Sequence, residues 1–274
     1  YLEENKHKIK GMLITHGHLD HIGAIPYILP RIGNPEIYCR NFTSLMIKKR
    51  HEEFPHLDPL NIKLVETNSE LELGDFKIKF FAVSHAIPDS MGLIIETPFG
   101  DIVHTGDLRL DHDNGIPTEG EINNYKTFEN RNILCLLTDS TNCENPGFSI
   151  SDRVVFENIN KIIKDTPGRL FIATFSTQVE RMMAIIKMIE NCGKKIVVEG
   201  RSIKTNIELV QTAELMKIPK ELLVPIEDVD QYPDNKIVVL ATGGQGEEFA
   251  VLSRMANGVH KYLKANKNTT ILMS

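Results

Sequence analysis

The chain has 274 residues, enough for one large domain or two ordinary ones, and its 41% hydrophobic and 25% charged residues are those of a folded globular protein. A net charge of −6 excludes non-specific coating of DNA, although a narrow channel can still be locally basic and bound metal adds charge that composition does not count. No apolar run reaches the roughly 20 residues needed to span a membrane.

In chain order, Gly11-Met12-Leu13-Ile14 predicts a buried strand. It leads into Thr15-His16-Gly17-His18-Leu19-Asp20-His21, after which Ile22, Ile25, Ile28 and Leu29 recur at helical spacing. Phe76 to Val83 alternates Phe76, Ile78 and Phe80 with Lys77 and Lys79, the pattern of a half-buried strand. Leu93-Ile94-Ile95 and Ile102-Val103, separated by Pro98-Phe99-Gly100-Asp101, predict a hairpin. Residues 111–130 are rich in turn formers and read as a long surface loop. Ile133–Leu137 is an apolar run containing Cys135. With no C-x-x-C pair among Cys39, Cys135, Cys143 and Cys192, Cys135 is expected to be a reduced core thiol, which fits a cytoplasmic setting.

Near residue 150, after Pro146-Gly147, the pattern changes. A junction helix is expected over Ser151–Asp165. Strands are then expected over Arg169–Thr174, Lys195–Glu199, Leu222–Val224, Lys236–Ala241 and Thr269–Met273, with helices over roughly 177–191, 202–217 and 247–257. Thr177 and Glu180 have capping-box spacing, and Gly193 ends the helix that follows. Such alternation predicts a parallel sheet flanked by helices. The expected domains are therefore 1–150 and 151–274.

The segment His16–His21 places three imidazoles and a carboxylate on a strand-to-helix turn, which can aim several side chains at one point. These donors suit zinc, with manganese as the alternative. Ser176-Thr177, Arg201-Ser202 and Gly243-Gly244-Gln245-Gly246 each follow a strand and precede a helix, where free N–H groups favour phosphate. Of these, the Arg201 guanidinium is the best single phosphate contact. His51 and His56 are read as surface, His7 and His260 as solvated, and His104 as packing beside the site. His112 carries no case.

The pattern H-x-H-x-D-H over His16–His21 resembles the signature of the metallo-β-lactamase superfamily. The resemblance continues through Val83-Ser84-His85, Val103-His104-Thr105-Gly106-Asp107 and Leu137-Thr138-Asp139-Ser140-Thr141-Asn142. The last resembles the acidic motif of the β-CASP subfamily, which processes nucleic acids. His85-Ala86-Ile87-Pro88-Asp89-Ser90, Asp139-Ser140-Thr141-Asn142 with Pro146-Gly147-Phe148, Gly200-Arg201-Ser202 and Thr242-Gly243-Gly244-Gln245-Gly246-Glu247 are most similar to the bacterial ribonuclease J family. The resemblance implies an incomplete metallo-β-lactamase αββα fold followed by a β-CASP domain. It also implies two divalent metal ions: His16, His18 and His85 would hold one, Asp20 and His21 the other, with Asp107 bridging. Asp20 and Asp139 would be catalytic. Ser176, Arg201, Ser202 and Gly243–Gly246 are expected along an RNA channel.

The implied activity is hydrolysis of RNA phosphodiesters, as a 5′–3′ exonuclease and an endonuclease, in mRNA decay and rRNA maturation. The implied substrate is single-stranded RNA with a 5′-monophosphate, the implied parent a homo-oligomer without membrane contact. The family's earlier strands, later histidine motifs and C-terminal region lie outside 1–274. This chain is accordingly expected to be an internal piece with little activity of its own. The rivals are a DNA-directed β-CASP nuclease, a small-molecule hydrolase of the same superfamily, and an RNA-binding piece that does not cleave.

Overall fold

The computed structural model describes residues 1–242 and 251–274, which form two compact units, Tyr1–Ser151 and Asp152–Ser274. The fold is mixed α/β. In the first unit a short parallel sheet is built from β1 (Met12–Leu13), β2 (Ile37–Cys39) and β3 (Ile62–Leu64). Helices α1 (Leu19–Ile22), α2 (Ile25–Ile28) and α3 (Asn41–His51) belong to its connections. Ile14, Ile22, Ile25, Leu29, Ile37, Cys39 and Ile47 form one buried cluster. It anchors both sides of the histidine-rich turn.

The second sheet of this unit contains β4 (Glu70–Leu73), β5 (Phe76–Ala82), β6 (Met91–Glu96), β7 (Asp101–His104) and β10 (Ile133–Leu137), in the order β10-β7-β6-β5-β4. Strands β5 and β7 are each antiparallel to β6, and β10 is parallel to β7. Hence β5, β7 and β10 run the same way. The residues that follow them, Ser84-His85, Gly106-Asp107 and Asp139, emerge at one sheet edge, and Met91 begins β6 there. The Met91 N–H donates to the Thr15 carbonyl at 3.0 Å, which fastens the turn after β1 to that edge.

Several expectations are corrected. Residues 111–130 are not a loop. They hold a hairpin of β8 (His112–Asp113) and β9 (Ile116–Pro117), then α4 (Glu119–Tyr125). Thr118 caps α4, its hydroxyl accepting the Glu121 N–H. Cys135 is exposed rather than buried, as is every residue of β10. The run is apolar, but β10 is the last strand of its sheet, and edge position is a tertiary fact that composition does not carry. All four cysteines are free thiols.

The second unit begins with α5 (Asp152–Asp165). Its parallel sheet contains β11 (Leu170–Ala173), β12 (Lys195–Glu199), β13 (Ile237–Ala241) and β14 (Thr270–Met273), in the order β12-β13-β11-β14. Helices α6 (Val179–Asn191), α7 (Arg201–Thr212) and α8 (Val251–Ala256) lie between strands in the chain. Val179, Met182, Ile185, Ile186 and Ile189 of α6 are buried, the spacing of one helix face. In place of the expected strand Leu222–Val224 there is a 3₁₀ turn over Lys220–Leu222 and a lone bridge from Leu223 to Ile196. Pro219 and Pro225 lack the donors a longer ladder needs. Helix α7 stops at Thr212 rather than near 217, where Glu214 takes a φ of +58°. Among the described residues no helix is long and apolar enough to cross a membrane.

Gly92 of β6 faces Phe81 of β5, and a Cβ built there would overlap the buried Phe81 ring. Gly92→Ala is expected to cost about 1–3 kcal/mol through overpacking, measured by denaturant unfolding. An unchanged midpoint would show that the ring is not fixed there.

Candidate metal centre

The three strand-end turns and the turn after β1 bring their side chains together. Donor atoms of His16, His18, His85 and Asp107 lie within 4.8 Å of one another, and so do those of Asp20, His21 and Asp107. The His85 ring centroid is 4.8 Å from those of both His16 and His18. His85 Nε2 is 3.0 Å from His18 Nδ1. The His21 ring is 4.0 Å from the His16 ring, and its Nε2 stands 3.3 Å from Asp107 Oδ2 and 3.5 Å from Asp20 Oδ2. Asp107 thus belongs to both groups.

Local geometry explains why these residues are available. His16 is fully buried, and its Nδ1 lies 3.1 Å from the Thr15 hydroxyl. Its Nε2 has no hydrogen-bond partner and stands 3.8 Å from Asp107 Oδ2. An unpartnered buried ring nitrogen costs about 1–3 kcal/mol unless something binds it. Gly106 has a φ of +65°, and a Cβ there would lie 2.8 Å from Thr15 Cβ. Glycine therefore lets the chain turn tightly before Asp107.

Burial, reinforced by His21, His85 and His18, lowers the His16 pKa from 6.5 to about 2. Burial, then His18, lowers that of His85 to about 4. Both rings are neutral near pH 7, the form that ligates metal. For Asp139, burial pushes upward, but N–H donation from Thr141 at 2.7 Å and Leu108 at 3.3 Å, with His85 nearby, outweighs it. Its carboxyl is held below the ordinary carboxylate range and stays ionised.

The family model described as "Metallo-beta-lactamase superfamily" matches residues 1–197. The chain belongs to the metallo-β-lactamase superfamily. A second model, "Ribonuclease J, beta-CASP domain", matches residues 167–274. Over its whole length the chain is 37% identical to ribonuclease J of Mycoplasma pneumoniae and 39% identical to that of Mycoplasma genitalium, covering 48% of each. It is 34% identical to ribonuclease J of Thermus thermophilus, covering 49% of that protein. The chain therefore spans about half the length of these relatives. A crystal structure of a protein of unknown function from Enterococcus faecalis V583 shares the fold, with a TM-score of 0.62 at 16% identity, over 96% of this chain and 68% of that one.

The superfamily implies divalent metal ions, and the residues present fit them. The donors are imidazole and carboxylate, they converge, and one buried imidazole nitrogen lacks a partner.

The other expected site residues lie in the second unit. Ser176, Arg201 and Ser202 follow the carboxyl ends of β11 and β12, strands of one parallel sheet, with Arg201 and Ser202 exposed at the start of α7. The Ser176 carbonyl accepts from Asn206 Nδ2 at 2.6 Å. Gly243, Gly244, Gln245 and Gly246 lie outside the described residues, as does the start of the helix expected over 247–257. His260 is buried rather than solvated: its Nδ1 accepts the Tyr262 and Leu263 N–H groups, and Nε2 stands 3.5 Å from Glu199 Oε1. His104 Nδ1 accepts the Gly106 N–H at 2.9 Å, so it shapes the turn before Asp107.

Sequence reasoning assigned no role to four side chains that hold the His85 loop. Asp89 accepts the Phe42 N–H at 2.8 Å and pairs with Arg40 at 3.1 Å. The Ser84 hydroxyl donates to the buried Glu121 carboxylate. The spacing of Thr118 and Glu121 was a usable signal for the start of α4, though not for the contact Glu121 makes with Ser84.

With metal stripped by chelator, stability should fall as pH drops from about 6.5 toward 4. In that window the unfolded chain takes up protons that folded His85 refuses until about 4 and folded His16 until about 2. Thermal unfolding at pH 7, 6 and 5 reads this as a falling melting temperature. A flat profile would show that the imidazoles are freely hydrated.

Proposed function

We propose that the protein is a metal-dependent nuclease that hydrolyses RNA phosphodiesters. The carrying observation is the convergence of His16, His18, His85 and Asp107, with Asp20 and His21 beside them, in a chain whose later part matches a ribonuclease J domain. In this reading residues 1–150 are the metallo-β-lactamase domain and residues 151–274 the β-CASP domain. The compact units support that division, and the β-CASP match over 167–274 falls within the second of them.

His16, His18 and His85 would hold one ion, Asp20 and His21 a second, and Asp107 both. Zinc suits these donors, with manganese as the alternative. When bound, such ions acidify water and place positive charge against phosphoryl oxygens. The chain's own residues do the rest. The neutral imidazoles present ring nitrogens without first losing a proton. Asp139, kept ionised by two backbone donors, is available to accept a proton beside the centre. Asp20, at the start of α1, sets its carboxylate 3.5 Å from His21 Nε2, so that the two can share the second ion and Asp20 stands against its water. Arg201, Ser202, Ser176 and the Gly243–Gly246 segment are assigned to the RNA backbone, Arg201 through a bidentate phosphate contact. The substrate is assigned as single-stranded RNA with a 5′-monophosphate.

The test uses the complete protein with 5′-monophosphorylated RNA and DNA of the same sequence. Expected is cleavage of RNA that stops with chelator and returns with zinc or manganese. Preference for DNA would favour a DNA-directed nuclease, and binding without cleavage would overturn the enzymatic reading. Arg201→Ala should weaken RNA binding by about 1–3 kcal/mol and lower its salt dependence by about one phosphate contact, with metal content unchanged. An unchanged salt slope would reassign Arg201 to a structural role.

A further inference from the structure

We infer that Glu121, acting through Ser84, is a positioning residue for the His85 side of the metal centre. The inference rests on the metal-centre reading above, and nothing in the family resemblance points to Glu121.

His85 stands on the loop after β5, where its place depends on its backbone. Ser84, one residue earlier, is held from two sides. Its carbonyl accepts the Arg109 N–H at 2.8 Å, and its hydroxyl donates to Glu121 Oε2. Just before it, the Val83 N–H donates to the Ser90 carbonyl at 3.2 Å. Glu121 is the unusual member. It is only 2% exposed, and beyond the Ser84 hydroxyl its carboxylate meets the Tyr125 phenol of its own helix. A carboxylate so placed is costly, and buried polar groups of this kind call for a reason.

Helix capping does not supply one. In a capping box the glutamate turns back to the N–H of the capping residue. Here the Thr118 N–H donates instead to the Asp111 carbonyl at 3.0 Å, and the Thr118 hydroxyl donates to Asp111 Oδ2 at 2.9 Å. The Glu121 side chain leaves its own helix and takes the Ser84 hydroxyl. Tyr125, one turn later, packs on Phe81 and Phe128 and closes the pocket around that carboxylate. Burial, then the Glu121 charge, pushes its phenol above the ordinary range. Helix α4 and its hairpin thus deliver one buried acceptor to the residue that precedes a metal ligand. Partners of this kind fix the orientation of the ligand and so the affinity for metal.

The experiment titrates cobalt(II) into the metal-free complete protein and reads the d–d absorption bands, with a chelating dye as competitor. Ser84→Ala and Glu121→Ala are expected to bind cobalt about 10–100-fold more weakly than wild type, with altered bands. Glu121→Gln keeps an oxygen acceptor for Ser84 and should stay within about threefold of wild type, far less than the loss expected for a broken outer contact. The metal-free melting temperature of Ser84→Ala should fall modestly, because the buried Glu121 loses its donor, so cobalt is titrated well below it. If Glu121→Ala fails to fold, Ser84→Ala decides. Wild-type affinity and bands in Ser84→Ala would overturn the inference and leave Glu121 a support for α4 alone. A wild-type protein that binds no cobalt would overturn the metal-centre reading itself, and the inference with it.

Discussion

The Met91 N–H donates to the Thr15 carbonyl at 3.0 Å, and this bond ties the short parallel sheet to the five-stranded sheet where their ligand-bearing turns meet. On one side of it lie His16, His18, Asp20 and His21, set by β1 and the start of α1. On the other lie His85, Asp107 and Asp139, delivered by β5, β7 and β10, which run in one direction. Neither set is a complete centre. Anchoring both turns to buried apolar clusters keeps the gap between them small without help from a ligand.

Electrostatics then fixes what the gap can hold. His16, His18, His21 and His85 crowd together, with His16 fully buried. Protonated, they would repel one another in a poorly solvated place. Burial keeps His16 and His85 neutral, and neutral imidazoles beside Asp107 present lone pairs and one shared negative charge. That is a site for a cation. The overall charge of −6 has little bearing on it, because the local field is set by these few groups and by what binds them.

Much of the first half of the site was readable because its chemistry lies in consecutive residues. His16 to His21 sit between a strand and a helix, and local pattern suffices to place them on a turn. His85 and Asp107 carry no such local signal; only motif order linked them to the first group. The failures share one cause. The apolar run at Cys135 and the solitary His260 were read from composition, but exposure is decided by which strand is outermost and which turn folds over a ring. Helix α4 was hidden by its turn-forming neighbours, and with it went Glu121, whose partner Ser84 is 37 residues away in sequence. In the second unit, β–α alternation gave β11, β12, β13 and β14 closely. It over-extended where Pro219 and Pro225 leave room for one bridge.

The most direct measurement is anomalous X-ray diffraction at the zinc edge from crystals of the complete protein grown with zinc. Two peaks are expected, each about 2.0–2.2 Å from its imidazole and carboxylate donors. One should touch His16, His18, His85 and Asp107, the other Asp20, His21 and Asp107. Zinc bound elsewhere, for example between His51 and His56, with none at these residues, would contradict the assignment of the metal centre.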